Sequence, residues 1–148
     1  MKPFVQAALV LTGCLPLAAG IAMNRWMMDH PESLPPFLWI GVLSLLLWAA
    51  ISFAAKYWVS TRLVVLLLNL AACVDLILAG VQELILGRYW PNIVGVWSQL
   101  FYLPVLRLGF GLTAGFSSVF PAYAAGFLLL VLASYAGCKL RRKIQKES

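Results

Sequence analysis

Residues 62–88 read RLVVLLLNLAACVDLILAGVQELILGR, and this stretch decides the fold class. Arg62 and Arg88 enclose 25 residues that are mostly apolar. About 20 residues of α-helix, rising about 1.5 Å each, cross a hydrocarbon core of about 30 Å. We therefore expect a membrane-spanning helix over 63–87, with an arginine at each surface of the bilayer.

The composition of the whole chain is typical of a membrane protein. Of its 148 residues, 63% are hydrophobic and 11% are charged, whereas soluble domains average about 45–50% apolar and about 25% charged residues. This balance excludes a soluble enzyme and a disordered tail. It also excludes a nucleic-acid-binding domain, whose basic residues would share one wetted face. The net charge of +6 is therefore explained by membrane topology, and no nucleic acid partner is expected.

Other apolar runs of spanning length predict three more transmembrane helices, at about 4–23, 37–55 and 119–138. The sequence thus predicts a single all-α integral membrane domain with four transmembrane helices. One alternative concerns the first run, where Leu11 to Cys14 resembles the lipid-accepting cysteine motif of a lipoprotein signal. The apolar run continues to Met23, which is longer than the apolar region of such a signal. A first spanning helix is the favoured interpretation.

The region 89–118 is apolar but interrupted by Pro104, Arg107 and four glycines. Charge asymmetry decides how it is interpreted. With four spans, the link 56–62 and the basic tail 139–148 lie on one side, and the acidic loop around Asp29 lies on the other. The positive-inside rule then places both termini in the cytoplasm of a multi-pass cell-membrane protein. We expect 89–118 to be an outer aromatic segment, either an interfacial helix or a re-entrant hairpin that turns near Pro104.

Four polar side chains lie within the predicted helix 63–87: Asn69, Asp75, Gln82 and Glu83. On a straight helix they share an arc of about 140°. Asp75 is at the middle of the span, where an isolated carboxylate costs about 2.5–3.5 kcal/mol. This face predicts either a polar path that relays a proton, holds a cation or receives a headgroup, or a set of interhelical hydrogen bonds. Packing is favoured for the two amides, and both interpretations remain open for Asp75.

Arg107 is the cation that lies inside an apolar stretch, and we expect it to form an ion pair with Asp75 or Glu83 that docks its segment against the third helix. The aromatic residues Trp90, Trp97 and Tyr102 form either an outer lid over the polar face or a belt at headgroup level.

Motifs for other chemistry are weak or missing in the sequence. His30 is the single histidine, so no Ser/His/Asp arrangement is expected, and a metal site with Asp29 and Glu32 is less favoured than a solvated loop. We expect no metal and no cofactor. The three cysteines occur singly, as packing thiols do.

Three functions fit these features. The favoured one is a non-catalytic subunit or accessory protein that packs in the bilayer with a larger membrane protein or with itself. The alternatives are a small oligomeric carrier or channel component, in which Asp75 and Glu83 bind protons or cations, and a lipid-acting membrane enzyme. The enzyme is less favoured because these two carboxylates are about 12 Å apart on a helix.

Overall fold

The structure is a computed structural model that describes residues 3–147. This part of the chain forms eight α-helices and one π-helical turn, without a β-strand. The helices are α1 (Pro3–Thr12), α2 (Leu15–Asp29), α3 (Phe37–Ala55), α4 (Thr61–Leu68), α5 (Leu70–Gly80), α6 (Ile93–Leu100), α7 (Leu103–Leu112) and α8 (Phe120–Glu147); the π turn (Val81–Ile85) follows α5 directly. The predicted all-α class is confirmed for these residues.

Several helices have the length and composition needed to cross a membrane. Three qualify as they stand, namely Pro3–Asp29, Phe37–Ala55 and Phe120–Ile144. Two bent pairs qualify when each is taken as one unit: α4 with α5 and the π turn, bent by 44°, and α6 with α7, bent by 59°. Among the described residues the chain therefore has three to five candidate spans.

The first candidate span is longer than the predicted 4–23. Its helix continues through Asn24 and Arg25 to Asp29, because the next proline in the sequence is Pro31. The connector to α3 is correspondingly short.

The same span breaks at Gly13, between α1 and α2. A Cβ atom on Gly13 would lie 2.7 Å from the Leu68 carbonyl oxygen, so only glycine permits this approach. Leu68 is the last residue of α4, and the break between α1 and α2 therefore packs on the break between α4 and α5.

The longest helix, α8, runs parallel to α3. A Cβ atom on Gly137 would come within 2.1 Å of the Ala49 carbonyl oxygen, and the Arg141 guanidinium lies 5.0 Å from the Phe53 ring centroid. Residue numbers rise together along the two helices, so α3 and α8 begin at the same end of the bundle.

The pair α4 and α5 runs antiparallel to α8. Asn69, at the break between them, donates to Ser134 Oγ at 2.9 Å, whereas a Cβ atom on Gly80 would lie 2.9 Å from the Phe120 ring. The unit 61–85 therefore ends where α8 begins. We call the end of the bundle that holds Phe120 and the π turn the upper end, and the opposite end the lower end.

The pair α6 and α7 begins and ends at the upper end of the bundle. Helix α6 follows the π turn after a short link, so it begins at the upper end. Along α7, Val105 contacts Gly126 of α8, and then Gly109 contacts Ala122. Because residue numbers rise in α7 while they fall in α8, α7 is antiparallel to α8 and ends at the upper end.

The break between α6 and α7 lies in the core, whereas one face of α6 is exposed. Tyr102, at the break, is 0% exposed, and Val105 is 2% exposed. The two helices pack against α2, α3, α5 and α8. The chain turns two residues before Pro104, close to the predicted position, because a proline is accommodated in the first turn of a helix.

The basic residues after 138 continue α8 as helix to Glu147. The predicted tail 139–148 is thus, within the described residues, the last turns of α8 rather than a separate segment.

Candidate membrane-interior site

Asn69 joins three helices through its side-chain amide. Its Oδ1 accepts from Trp48 Nε1 at 3.1 Å, and its Nδ2 donates to Ser134 Oγ and to the Val65 carbonyl oxygen, both at 2.9 Å. The side chain is 4% exposed. Its hydrogen-bonding groups are occupied in packing α3, α4 and α8 together.

Gln82 has a similar role at the upper end. Its Nε2 donates to Ser98 Oγ at 2.9 Å, and its Oε1 accepts the backbone N–H of Trp90 at 2.9 Å. The residue is 0% exposed. Gln82 therefore attaches α6 and the preceding link to the π turn.

Glu83 caps the N-terminus of α8. Its Oε1 accepts the backbone N–H groups of Val119 at 2.9 Å and of Phe120 at 3.1 Å, and its Oε2 accepts from the Tyr89 hydroxyl. A carboxylate at this position satisfies backbone donors that have no partner within the helix and interacts favourably with the helix dipole. Burial and the hydrogen bond to Glu83 raise the pKa of the Tyr89 hydroxyl above its usual range.

Asp75 differs from these three residues because its carboxyl has no polar partner. The residue is 9% exposed, and Asp75 Oδ2 is the one buried side-chain oxygen or nitrogen without a hydrogen bond in the part of the chain that the structure describes. It lines a groove of about 320 Å³ between α1, α2 and α5, whose other walls include Val10, Val74 and Phe101.

Few other ionisable groups lie near the Asp75 carboxyl. The groove also contains Cys14, whose Sγ lies 3.7 Å from the Val10 carbonyl oxygen. Tyr102 is within electrostatic range, but its hydroxyl donates to the Ala72 carbonyl oxygen at 2.5 Å. The carboxyl is therefore free to accept or donate hydrogen bonds to a group from outside the described residues.

The four polar side chains do not form one continuous path. The predicted arc of about 140° assumes a straight helix, but the unit 61–85 bends by 44° next to Asn69 and changes to a π turn at Val81. Both irregularities rotate the side chains that follow. The structure consequently directs Asn69, Gln82, Glu83 and Asp75 to different neighbours.

Arg107 does not meet either carboxylate within the described residues. It is exposed on α7 and lines a second groove with apolar residues such as Leu38 of α3 and Leu129 of α8. The expected ion pair with Glu83 does not form because the cap of α8 occupies that carboxylate, and the groove of Asp75 lies on another face.

The expected aromatic lid is also divided. Tyr102 is in the core, so it does not cover an outer site. Trp97 is 44% exposed, whereas Trp90 is half-buried, with its carbonyl packed against Gly95. Of the three predicted lid residues, the two tryptophans lie near the upper end.

The loop that holds His30 shows local contacts only. The His30 ring stacks on Trp26 with centroids 4.8 Å apart. No group of three potential metal ligands comes together among residues 3–147.

Sequence reasoning missed the partners of the polar side chains. Ser98 and Ser134 are both fully buried, and each accepts a hydrogen bond from an amide in the unit 61–85. An isolated serine in an apolar run was the available signal, because such a hydroxyl needs a partner when it is buried.

Comparison with protein families, with curated proteins and with solved structures finds no match for this chain.

Proposed function

We propose that this chain is a non-catalytic subunit of a membrane assembly, and that the groove of Asp75 receives a polar side chain from a neighbouring membrane helix. The observation that carries the proposal is the buried, unpartnered Asp75 carboxyl in an otherwise apolar groove. Ionisable groups within membranes pair with one another or with backbone carbonyls. An apolar groove accommodates a membrane helix, so we expect the polar partner of Asp75 to lie on a neighbouring helix.

The proposed topology has four spans with both termini in the cytoplasm of a cell-membrane protein. It is supported by the parallel course of α3 and α8, which requires an even number of crossings from the start of one to the start of the other. The unit 61–85 crosses once after α3 does, and α6–α7 returns to the upper end without crossing. The link 56–62 and the basic residues near Arg141, which stacks on Phe53, share the lower end, as the positive-inside rule expects of a cytoplasmic surface.

A carrier has less support from the same geometry. Asn69, Gln82 and Glu83 are engaged in packing and capping, so they do not extend a polar path from Asp75. Hard cations take several oxygen ligands, whereas the groove supplies one carboxyl. An enzyme has less support for a related reason, because Glu83 is held at the α8 N-terminus and does not face Asp75.

The docking role is tested by purifying Asp75→Asn and Asp75→Leu variants in mild detergent and quantifying the membrane proteins that co-purify. We expect Asp75→Leu to lose the stoichiometric partner and Asp75→Asn to retain part of the binding, since an amide still forms hydrogen bonds. The matched control is Cys73→Ser, an exposed position on another face of α5, which should behave as the wild type.

Two results would overturn the proposal. One is unchanged partner binding by a folded Asp75→Leu protein. The other is a pH-dependent ion flux in reconstituted vesicles that disappears in Asp75→Asn, which would indicate a carrier.

A further inference from the structure

The chain carries a second intramembrane group without a polar partner, and its charge is opposite to that of Asp75. Arg107 is exposed in a groove of apolar side chains. It makes no hydrogen bond or ion pair with the residues that the structure describes. A cation on an apolar face needs a partner for the same reason that Asp75 does.

The position of Asp75 along the bundle follows from its two neighbours on the same unit. Asn69 lies at the level of Ser134, and Gly80 lies at the level of Phe120. Asp75 is almost midway between Asn69 and Gly80, so its level corresponds to about residue 126 of α8.

The position of Arg107 follows in the same way. Val105 contacts Gly126, and Gly109 contacts Ala122. Arg107 is halfway between Val105 and Gly109, so its level corresponds to about residue 124. At about 1.5 Å per residue, the two charged positions differ by about 3 Å in depth, which the side chain of an arginine can span.

The two groups lie on different faces of the bundle. The groove of Asp75 is formed by α1, α2, α5 and Phe101, and the groove of Arg107 by α3, α7 and α8; the two grooves share no residue. They cannot complete each other within one chain, but two copies side by side in a membrane would bring them together at matching depth.

We infer that the partner of Asp75 is Arg107 of a second copy of this chain, an inference that rests on the proposed docking role of Asp75. The guanidinium has donors in a planar fork that matches the two oxygens of a carboxylate. The contact joins different faces of the two copies, so it is a heterologous interface that closes into a ring or extends as a row.

The test uses two differently tagged copies in nanodiscs, with self-association measured by co-purification and by mass. We expect Asp75→Asn alone and Arg107→Gln alone each to weaken association about tenfold, the effect of an intramembrane polar contact. A mixture of the two variants should recover association as far as a dimer, because one copy supplies an intact Arg107, the other an intact Asp75, and the remaining site of each copy is disabled. The control Arg25→Gln removes an exposed cation outside both grooves and should leave association unchanged.

A second measurement does not depend on affinity. In a background without the native cysteines, copies with Val74→Cys in the Asp75 groove are mixed with copies carrying Leu108→Cys in the Arg107 groove. We expect a disulfide between the mixed copies and none with Ile77→Cys, which is on an exposed face of α5 outside the Asp75 groove.

The outcomes separate this inference from the docking role. Failure of the mixture to recover, with no disulfide between the grooves, would overturn self-association. If a different membrane protein then co-purifies in an Asp75-dependent manner, the docking role stands and only the identity of the partner is wrong. If neither self-association nor any other partner depends on Asp75, both proposals are wrong.

Discussion

The carboxylate of Glu83 accepts the backbone N–H of Val119 at 2.9 Å, and this bond attaches the end of the unit 61–85 to the start of α8. The two residues are 36 positions apart in the sequence, with the whole α6–α7 pair between them. A single carboxylate thus joins the two elements that precede and follow that pair in the sequence.

Replacing Glu83 should destabilise the protein through the loss of this cap. We expect Glu83→Ala to lower the free energy of unfolding by about 1–2 kcal/mol, the effect of losing a capping side chain. Glu83→Gln should lower it by less, because the amide oxygen still accepts a hydrogen bond. Both are measured by denaturant titration in mixed micelles, with Glu32→Ala in the exposed connector as the control. Equal effects of Glu83→Ala and Glu32→Ala would contradict the capping role.

Substitution by alanine should affect the stability of the protein differently at two glycines. In Gly137→Ala the new Cβ would meet the Ala49 carbonyl oxygen at 2.1 Å, whereas in Gly111→Ala no atom lies within 4 Å. Since backbone must shift to relieve the first contact, we expect Gly137→Ala to cost about 1–3 kcal/mol. Gly111→Ala should leave the stability unchanged or slightly raised, because alanine favours helix. The test is the thermal unfolding of the two purified variants. A Gly137→Ala protein as stable as the wild type would show that α3 and α8 are not in close contact there.

The free energy of unfolding should fall in alkaline solution, in part because the Tyr89 hydroxyl loses its proton. Burial, together with its bond to Glu83, raises the pKa of this hydroxyl above its usual value of 10.0. The folded state therefore holds the proton more tightly than the unfolded state, so this contribution is complete below pH 10 and is lost as the pH rises further. We expect Tyr89→Phe to make the decline above about pH 10 shallower, and the exposed Tyr135→Phe to leave it as in the wild type. An identical pH profile for wild type and Tyr89→Phe would rule out this contribution.

The return of α6–α7 to the upper end predicts which loops share a side of the membrane. Single cysteines at Pro91 and Ser117, in the exposed links before α6 and before α8, should react with an impermeant thiol reagent from the same side. A cysteine at Tyr57, in the link between α3 and α4, should react from the other side. Labelling of Pro91→Cys and Ser117→Cys from opposite sides would show that α6–α7 crosses the membrane and that the chain has five spans.

Rare residues were the most informative part of the sequence. Few charged groups occur inside apolar runs, so Asp75, Glu83 and Arg107 stood out by composition alone. From the sequence, Glu83 was expected in an ion pair or a polar path, whereas in the structure it caps a helix. The cap could not be predicted from the sequence, because Val119 and Phe120 are far from Glu83 in the chain and only the fold brings them to the same end of the bundle. The functional role of Asp75 remains a prediction.

The sequence by itself determined the helical class and the approximate extent of the candidate spans, because the length of an apolar run directly reflects the number of residues that a helix needs to cross a bilayer. Only the tertiary structure decided which way the polar side chains face. The bend at Asn69 and the π turn at Val81 rotate the helix away from the straight geometry that a helical projection assumes. Those rotations direct three polar residues into hydrogen bonds within the chain and leave Asp75 facing an apolar groove without a partner.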